Sequence, residues 1–241
     1  MDTNSNKYTF MYAAIMVIIA AAILSSAAIV LKKPQQKNVE IEKKSNILTS
    51  VNKGLDADNA ADKNAYIEAE YEKYITNSYI VNNSGKKVEG DAFTVDLHEE
   101  LGKKDVTQRR LPVFECKDDD GSIKYVLPVR GKGLWGPIWG YIALEDDMNT
   151  IYGANFDHKG ETPGLGAEIN QKFFQEPFKG EKLFDETGKF VSVQVVKGGA
   201  KPDDLHAVDA ISGGTITSKG LEAMLKDNLS LYENFLKNQN K

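Results

Sequence analysis

Between Lys7 and Lys32 the chain carries no charged side chain, and residues 10–31 read FMYAAIMVIIAAAILSSAAIVL. About 20 apolar residues are what a helix needs to cross the hydrocarbon core of a bilayer. Backbone polar groups in hydrocarbon must be satisfied within their own segment, so such a run has to be helical. Ser25 and Ser26 fit, because hydroxyls bond back to helix carbonyls. The apolar core of a cleaved signal peptide spans only about 7–15 residues. The run is therefore read as an uncleaved transmembrane anchor over residues 10–31, behind a short tail of residues 1–9. One lysine, Lys7, precedes it, while Lys32, Lys33 and Lys37 follow. Taken alone, that asymmetry puts the C-terminal side in the cytoplasm.

Residues 32–52 are polar and lysine-rich, with Ile41, Ile47, Leu48 and Val51 spaced for one weak helical face. They read as a linker or helix leading into a soluble domain over residues 53–241. Residues 56–79 read as helix, NNSGKK (82–87) as a turn, and AFTVDLHEEL (92–101) as a strand followed by a helix. PVFECKDDDGSIKYVLPV (112–129) is the clearest hairpin, since Asp-Gly between two apolar or alternating runs is a strong turn signal. Further strands are expected at 137–144, 150–156 and 190–197, and helices at 168–174 and 219–236. Strands and helices mix without βαβ alternation. The expected class is α+β: a transmembrane helix, then one soluble domain with a mainly antiparallel sheet and flanking helices. The single cysteine, Cys116, excludes an intrachain disulfide and reads as a half-buried strand residue. A formal net charge of −5 argues against a nucleic-acid binder.

Three glycine-bearing stretches carry the chemistry. GKGLWG (131–136) matches G-x-G-x-x-G, but a dinucleotide site requires a helix to follow. Here Pro137 and a strand-like run follow, so that reading is rejected. The glycines allow unusual backbone angles or close approach, and Trp135 and Trp139 form either a core pair or, for Trp135, a contact to a planar ligand. HKGETPGLGAEI (158–169) can aim several backbone N–H groups at one acceptor. His158 and Glu161 lack the partner histidine of a zinc site, so no metal is expected, and His158 reads as a surface or loop-bracing residue. In DAISGGTITSKGLEAML (209–225), a helix is expected to start near Lys219, with Thr217 or Ser218 as N-cap. Ser212, Thr215 and the paired Gly213 and Gly214 are then either an ordinary turn or a phosphate site at a helix N-terminus.

GLWGPIWGY, ETPGLG and SGGTITS, in that order behind an N-terminal anchor, resemble the C-subunit family of the Na⁺-translocating NADH:quinone oxidoreductases. In that family an FMN is joined through its phosphate to a threonine hydroxyl in the motif Asp-x-x-Ser/Thr-Gly-Ala-Thr. Asp209, Ser212, Gly213 and Thr215 match it, and Gly214 stands where alanine is usual. The resemblance implies covalent FMN on Thr215, with Thr217 as the rival acceptor. It also implies a flavin transferase that takes FMN from FAD during maturation. Trp135, Glu161, Thr162, Gly164, Leu165 and Gly166 are then assigned to the flavin pocket, with Leu165 on the ring and Thr162 at its edge. The implied protein is an electron-transfer subunit, not catalytic alone, working with the other subunits of a membrane oxidoreductase. The resemblance places its soluble domain outside the cytoplasmic membrane, against the lysine count. The alternatives are the related G-subunit family of the Rnf-type ferredoxin:NAD⁺ oxidoreductases, or a membrane-anchored binding module without covalent flavin.

Overall fold

The computed structural model describes residues 5–239, and the chain divides into two compact units, residues 1–43 and 44–241. Helix α1 (Asn6–Ser50) is 45 residues long and apolar enough over its first part to cross a membrane. Within it the Ser26 hydroxyl donates to the Ala22 carbonyl at 2.8 Å, the back-bonding that lets serine sit in an apolar helix. The helix stops in a Schellman motif. Asn52 takes a left-handed φ of 57°, the Lys53 N–H reaches the Leu48 carbonyl at 2.9 Å, and the Asn52 N–H reaches the Thr49 carbonyl at 3.0 Å.

Helix α2 (Lys63–Tyr74) is N-capped by Asp62, whose side chain accepts from the Ala65 N–H. It gives way directly to strand β1 (Ile75–Val81). The expected helix over 56–79 is therefore shorter at both ends. Ile75, Thr76, Ile80 and Val81 are β-branched, and pairing with a neighbouring strand satisfies their backbone better than another helical turn. The turn at 82–87 forms as expected, with the Asn82 side chain accepting from the Ser84 and Lys86 N–H groups. It leads into the short strand β2 (Lys87–Val88). The strand expected within 92–101 is absent. Asp91 and Asp96 instead cap a 3₁₀ turn (Ala92–Thr94) and helix α3 (Leu97–Gly102).

The hairpin pairs β3 (Leu111–Lys117) with β4 (Ile123–Lys132), turning at Gly121 with φ 86°. Strands β5 (Pro137–Leu144) and β6 (Ile151–His158) complete a six-stranded antiparallel sheet of order β2-β1-β3-β4-β5-β6. Residues 168–174, expected as one helix, are a 3₁₀ turn (Gly166–Asn170) and a single turn of α4 (Lys172–Gln175). The strand expected over 190–197 contracts to β7 (Gln194–Val196), which pairs in parallel with β8 (Ala207–Asp209).

Helix α5 (Thr215–Leu229) and the shorter α6 (Glu233–Gln239) close the chain. Leu221, Met224, Leu225 and Leu229 bury one face of α5 over β4, in the same core as Leu127 and Val129 of β4 and Ile138 and Ile142 of β5. Asn228, 5 % exposed, accepts from the Arg130 N–H at 2.8 Å and fixes the helix along β4. A Cβ on Gly131 would lie 2.7 Å from Met224 Cβ, so the glycine sets how closely helix and strand approach.

Candidate functional site at the start of helix α5

Helix α5 begins at Thr215, four residues earlier than the sequence predicts. Its N-cap is Gly214, and no side chain caps it. The expected caps are used elsewhere. The Ser218 hydroxyl accepts from the Ile211 N–H at 3.2 Å, and the Thr217 hydroxyl donates to Glu161 Oε2 at 2.5 Å. The Ser218 N–H already reaches the Gly214 carbonyl, so it is not a free donor. The N–H groups without a carbonyl one turn back are those of Thr215, Ile216 and Thr217. Thr215 is exposed at the first helical position, while Thr217 is 2 % exposed.

The GLWG stretch is the connection between β4 and β5, closed by a hydrogen bond from the Gly133 N–H to the Gly136 carbonyl at 2.8 Å. A strand, not a helix, follows it, so the dinucleotide reading stays rejected on geometry. Trp135 lies at the tip, 69 % exposed, and Leu134 beside it is 46 % exposed. Trp139 is half-buried within β5, so the two tryptophans are not a core pair.

The ETPGLG loop joins these two regions. Glu161 is 4 % exposed, and its Oε1 accepts from the Trp135 N–H at 2.8 Å. Burial alone would raise its pKa. The Thr217 hydroxyl and the N–H groups of Trp135, Leu134 and Gly136 outweigh burial and hold the carboxyl below the ordinary glutamate value. His158 braces the loop, as expected: its Nδ1 accepts from the Glu161 N–H at 3.1 Å. A Cβ on Gly166 would collide with the Thr217 hydroxyl and lie 2.6 Å from Glu161 Oε2. Gly213 has φ 76°, and a Cβ there would lie 2.6 Å from Leu165 Cδ2, so this loop and the SGGT segment are in direct contact.

The structure thus brings Trp135, Glu161, Leu165, Gly166, Gly213, Gly214 and Thr217 into one neighbourhood beside Thr215. Thr162 is exposed and contributes its carbonyl, which accepts from the Leu165 and Ala167 N–H groups. Gly164 turns the loop with φ 74°, its N–H donating to Glu168 Oε1. Asp209 ends β8 and accepts from the Ala200 N–H, bracing the turn before it. With Ser212 and Gly164 it borders a cleft of about 760 Å³ that continues to Phe173, Lys201 and Pro202. Sequence reasoning missed Leu134 and Ile216. Ile216, 59 % exposed, sits between the two threonines on the side of α5 away from its buried stripe. An apolar residue off that stripe was the available signal.

The surroundings of Thr215 suit a group with an anionic end and a flat apolar body. Exposed Leu134, Trp135, Leu165 and Ile216 offer apolar surface, and the first turn of a 15-residue helix offers N–H donors.

Comparison with known proteins agrees. Residues 133–230 match a family described as FMN-binding domain. The chain is 32% identical over 203 residues to the C subunit of the Na(+)-translocating NADH-quinone reductase of Vibrio alginolyticus, covering 78% of this chain and 76% of that protein. To the corresponding protein of Vibrio vulnificus it is 35% identical over 164 residues, 65% of this chain and 64% of that one. The crystal structure of the C subunit from Parabacteroides distasonis superposes with a TM-score of 0.75 at 45% identity, covering 86% of this chain and 96% of that chain. Shared sequence over most of the length and a shared fold place the chain in the C-subunit family of the Na(+)-translocating NADH-quinone reductases.

Proposed function

We propose that this chain is the membrane-anchored electron-carrying subunit of a Na⁺-translocating NADH:quinone reductase complex, holding FMN through a phosphoester to Thr215. The observation that carries the reading is the environment of that hydroxyl. Thr215 stands exposed at the first position of α5 next to exposed Ile216, with Leu165 packed on the adjoining Gly213 turn and the exposed Leu134–Trp135 tip tied to the same helix turn through Glu161 and Thr217. FMN, once attached, supplies one- and two-electron redox chemistry. The residues do the rest. The N–H groups of Thr215, Ile216 and Thr217 would hold the phosphate and favour its negative charge. Leu165 and Trp135 would hold the ring, and Thr162 would lie at its edge. Gly164 and Gly166 shape the loop that presents them.

Attachment requires a separate flavin transferase. The Thr215 oxygen bonds to the flavin-side phosphorus of FAD, the pyrophosphate bond breaks, AMP leaves, and the hydroxyl proton passes to solvent. Asp209 and Ser212 form the recognition half of the acceptor motif. Electrons arrive from one subunit of the complex and leave to another, and sodium coupling belongs to those other subunits. Helix α1 anchors the chain in the inner membrane, with the soluble domain on the periplasmic side. A phosphatase reporter fused to the C-terminus should then be active outside the cell, and an inactive one refutes that placement.

The direct test is ultraviolet illumination of a denatured gel of natively expressed full chain. A fluorescent flavin band is expected, and Thr215→Ala should abolish it. A wild-type chain without the band favours a binding module without covalent flavin. A band that persists in Thr215→Ala moves the link to another residue.

A further inference from the structure

Two threonine hydroxyls lie two residues apart in this segment, and only one can be the acceptor. Successive residues of a helix are about 100° apart, so Thr215 and Thr217 point to nearly opposite sides of α5. Thr215 faces out and Thr217 is 2 % exposed, its hydroxyl donating to Glu161 Oε2. A carboxylate beside a hydroxyl also resembles a base beside a nucleophile. Access decides between the two meanings. An attacking oxygen must reach a phosphorus that carries a whole nucleotide, and a buried hydroxyl cannot.

Nor is Glu161 free to touch a flavin. One oxygen accepts from the Trp135 N–H and the other from Thr217, and the carboxylate is 4 % exposed. Gly133 and Gly166 enclose it: a Cβ on either would lie 2.6 Å from one of its oxygens. Its own N–H is tied to His158. Glu161 therefore binds three segments into one body: the β4–β5 turn, the ETPGLG loop and the first turn of α5.

The geometry points to Glu161 as the residue that selects the flavin acceptor: it withdraws the Thr217 hydroxyl and fixes the rotation of α5 that presents Thr215. Glu161 is thus a positioning residue and not a contact of the ring. This rests on Thr215 being the flavin acceptor. The transfer it governs forms the bond from threonine oxygen to the flavin-side phosphorus of FAD, breaks the pyrophosphate bond and releases AMP and a proton. Glu161 takes no atom from that exchange.

The test incubates the purified full chain in detergent with flavin transferase, FAD and Mg²⁺, and locates the adduct by fragmentation of the peptide 198–219, which contains both threonines. Wild type should carry FMN on Thr215 only. Thr215→Ala should carry none, because Thr217 stays locked. Glu161→Ala should lower the rate of attachment at Thr215 on the order of tenfold to a hundredfold, as small misplacements of reacting groups do. It should also release the first turn of α5, so that the turn can rotate or fray, the Thr217 hydroxyl gains access and adduct on Thr217 appears. Glu161→Gln should restore selectivity, because its carbonyl still accepts from the turn and its amide still donates to the Thr217 oxygen. A shift of attachment site, with rescue by glutamine, is something a merely structural residue does not produce. Adduct on Thr217 in Thr215→Ala overturns the selection, and that variant changes only an exposed side chain. Unchanged attachment in Glu161→Ala overturns it equally. An unmodified wild-type chain sinks the acceptor reading itself, and this inference with it.

Discussion

Three glycines of one loop differ in what constrains them, one by space, one by backbone and one by neither, and alanine separates them. Gly166 is constrained by space. A Cβ there would collide with the Thr217 hydroxyl, lie 2.6 Å from Glu161 Oε2 and 3.0 Å from Thr217 Cβ. None of these atoms is the loose end of an exposed side chain, because Glu161 and Thr217 are both buried and bonded to each other. Relaxation must either strain the packing, at about 1–3 kcal/mol, or break a charge-assisted hydrogen bond, at about 1.5–3 kcal/mol. Gly166→Ala should therefore cost about 3 kcal/mol. Gly164 is constrained by backbone: its φ is 74° and nothing lies near its missing Cβ. Alanine there pays only the left-handed penalty, about 1–2 kcal/mol. Gly160 has neither constraint, with a φ outside the left-handed range and open space around it. Alanine there should be neutral or stabilise by up to about 1 kcal/mol through the unfolded state.

In a domain of this size about 1 kcal/mol moves Tm by roughly 2–4 °C. Thermal unfolding of the full chain in detergent, followed by near-ultraviolet circular dichroism, should place Gly166→Ala about 6–12 °C below wild type. Gly164→Ala should fall about 2–8 °C below, and Gly160→Ala should match wild type or exceed it slightly. The order matters more than the sizes. If Gly166→Ala melts with Gly160→Ala, the loop, the carboxylate and α5 are not packed as described, and the argument for their union fails.

Glu161 makes the same union pH-dependent. Its folded pKa lies below its unfolded value of 4.5, so its stabilisation is full above that value and is lost as pH falls through the folded one. The fall in Tm on acidification below about pH 4.5 should be shallower in Glu161→Gln than in wild type; parallel curves would show that the carboxylate is not preferentially stabilised in the fold. Cys116 is 1 % exposed, and burial pushes its thiol up to about 11. Maleimide at pH 8 should label it only after unfolding, and fast native labelling would contradict its burial in β3.

The sheet was legible because its strands carry local signals. Asp-Gly marked the β3–β4 turn, and the run at 137–144 matched β5 residue for residue. The change from α2 to β1 was not, because no glycine or proline separates Tyr74 from Ile75. Helical and strand tendencies meet there, and pairing with β3 decides between them. The parallel pair β7–β8 left little trace, since three residues are too few for a period to appear.

At the site the residue types were legible and their partners were not. Thr217 and Ser218 have the chemistry of helix caps, and that chemistry placed the helix start four residues late. A hydroxyl caps only if its own backbone stands outside the helix, and here two non-local demands prevent it. Glu161, 56 positions earlier, accepts a hydrogen bond from the Thr217 hydroxyl, and the Ile211 N–H donates to the Ser218 oxygen. With both hydroxyls engaged inside, the chain begins its helix at a glycine, where no side chain competes for the exposed N–H groups. Under the proposed function the missing cap serves the site: a capping side chain at 214 would occupy the donors that a phosphate on Thr215 would need. Capping propensity and anion binding want the same N–H groups, so a helix that serves one has to forgo the other.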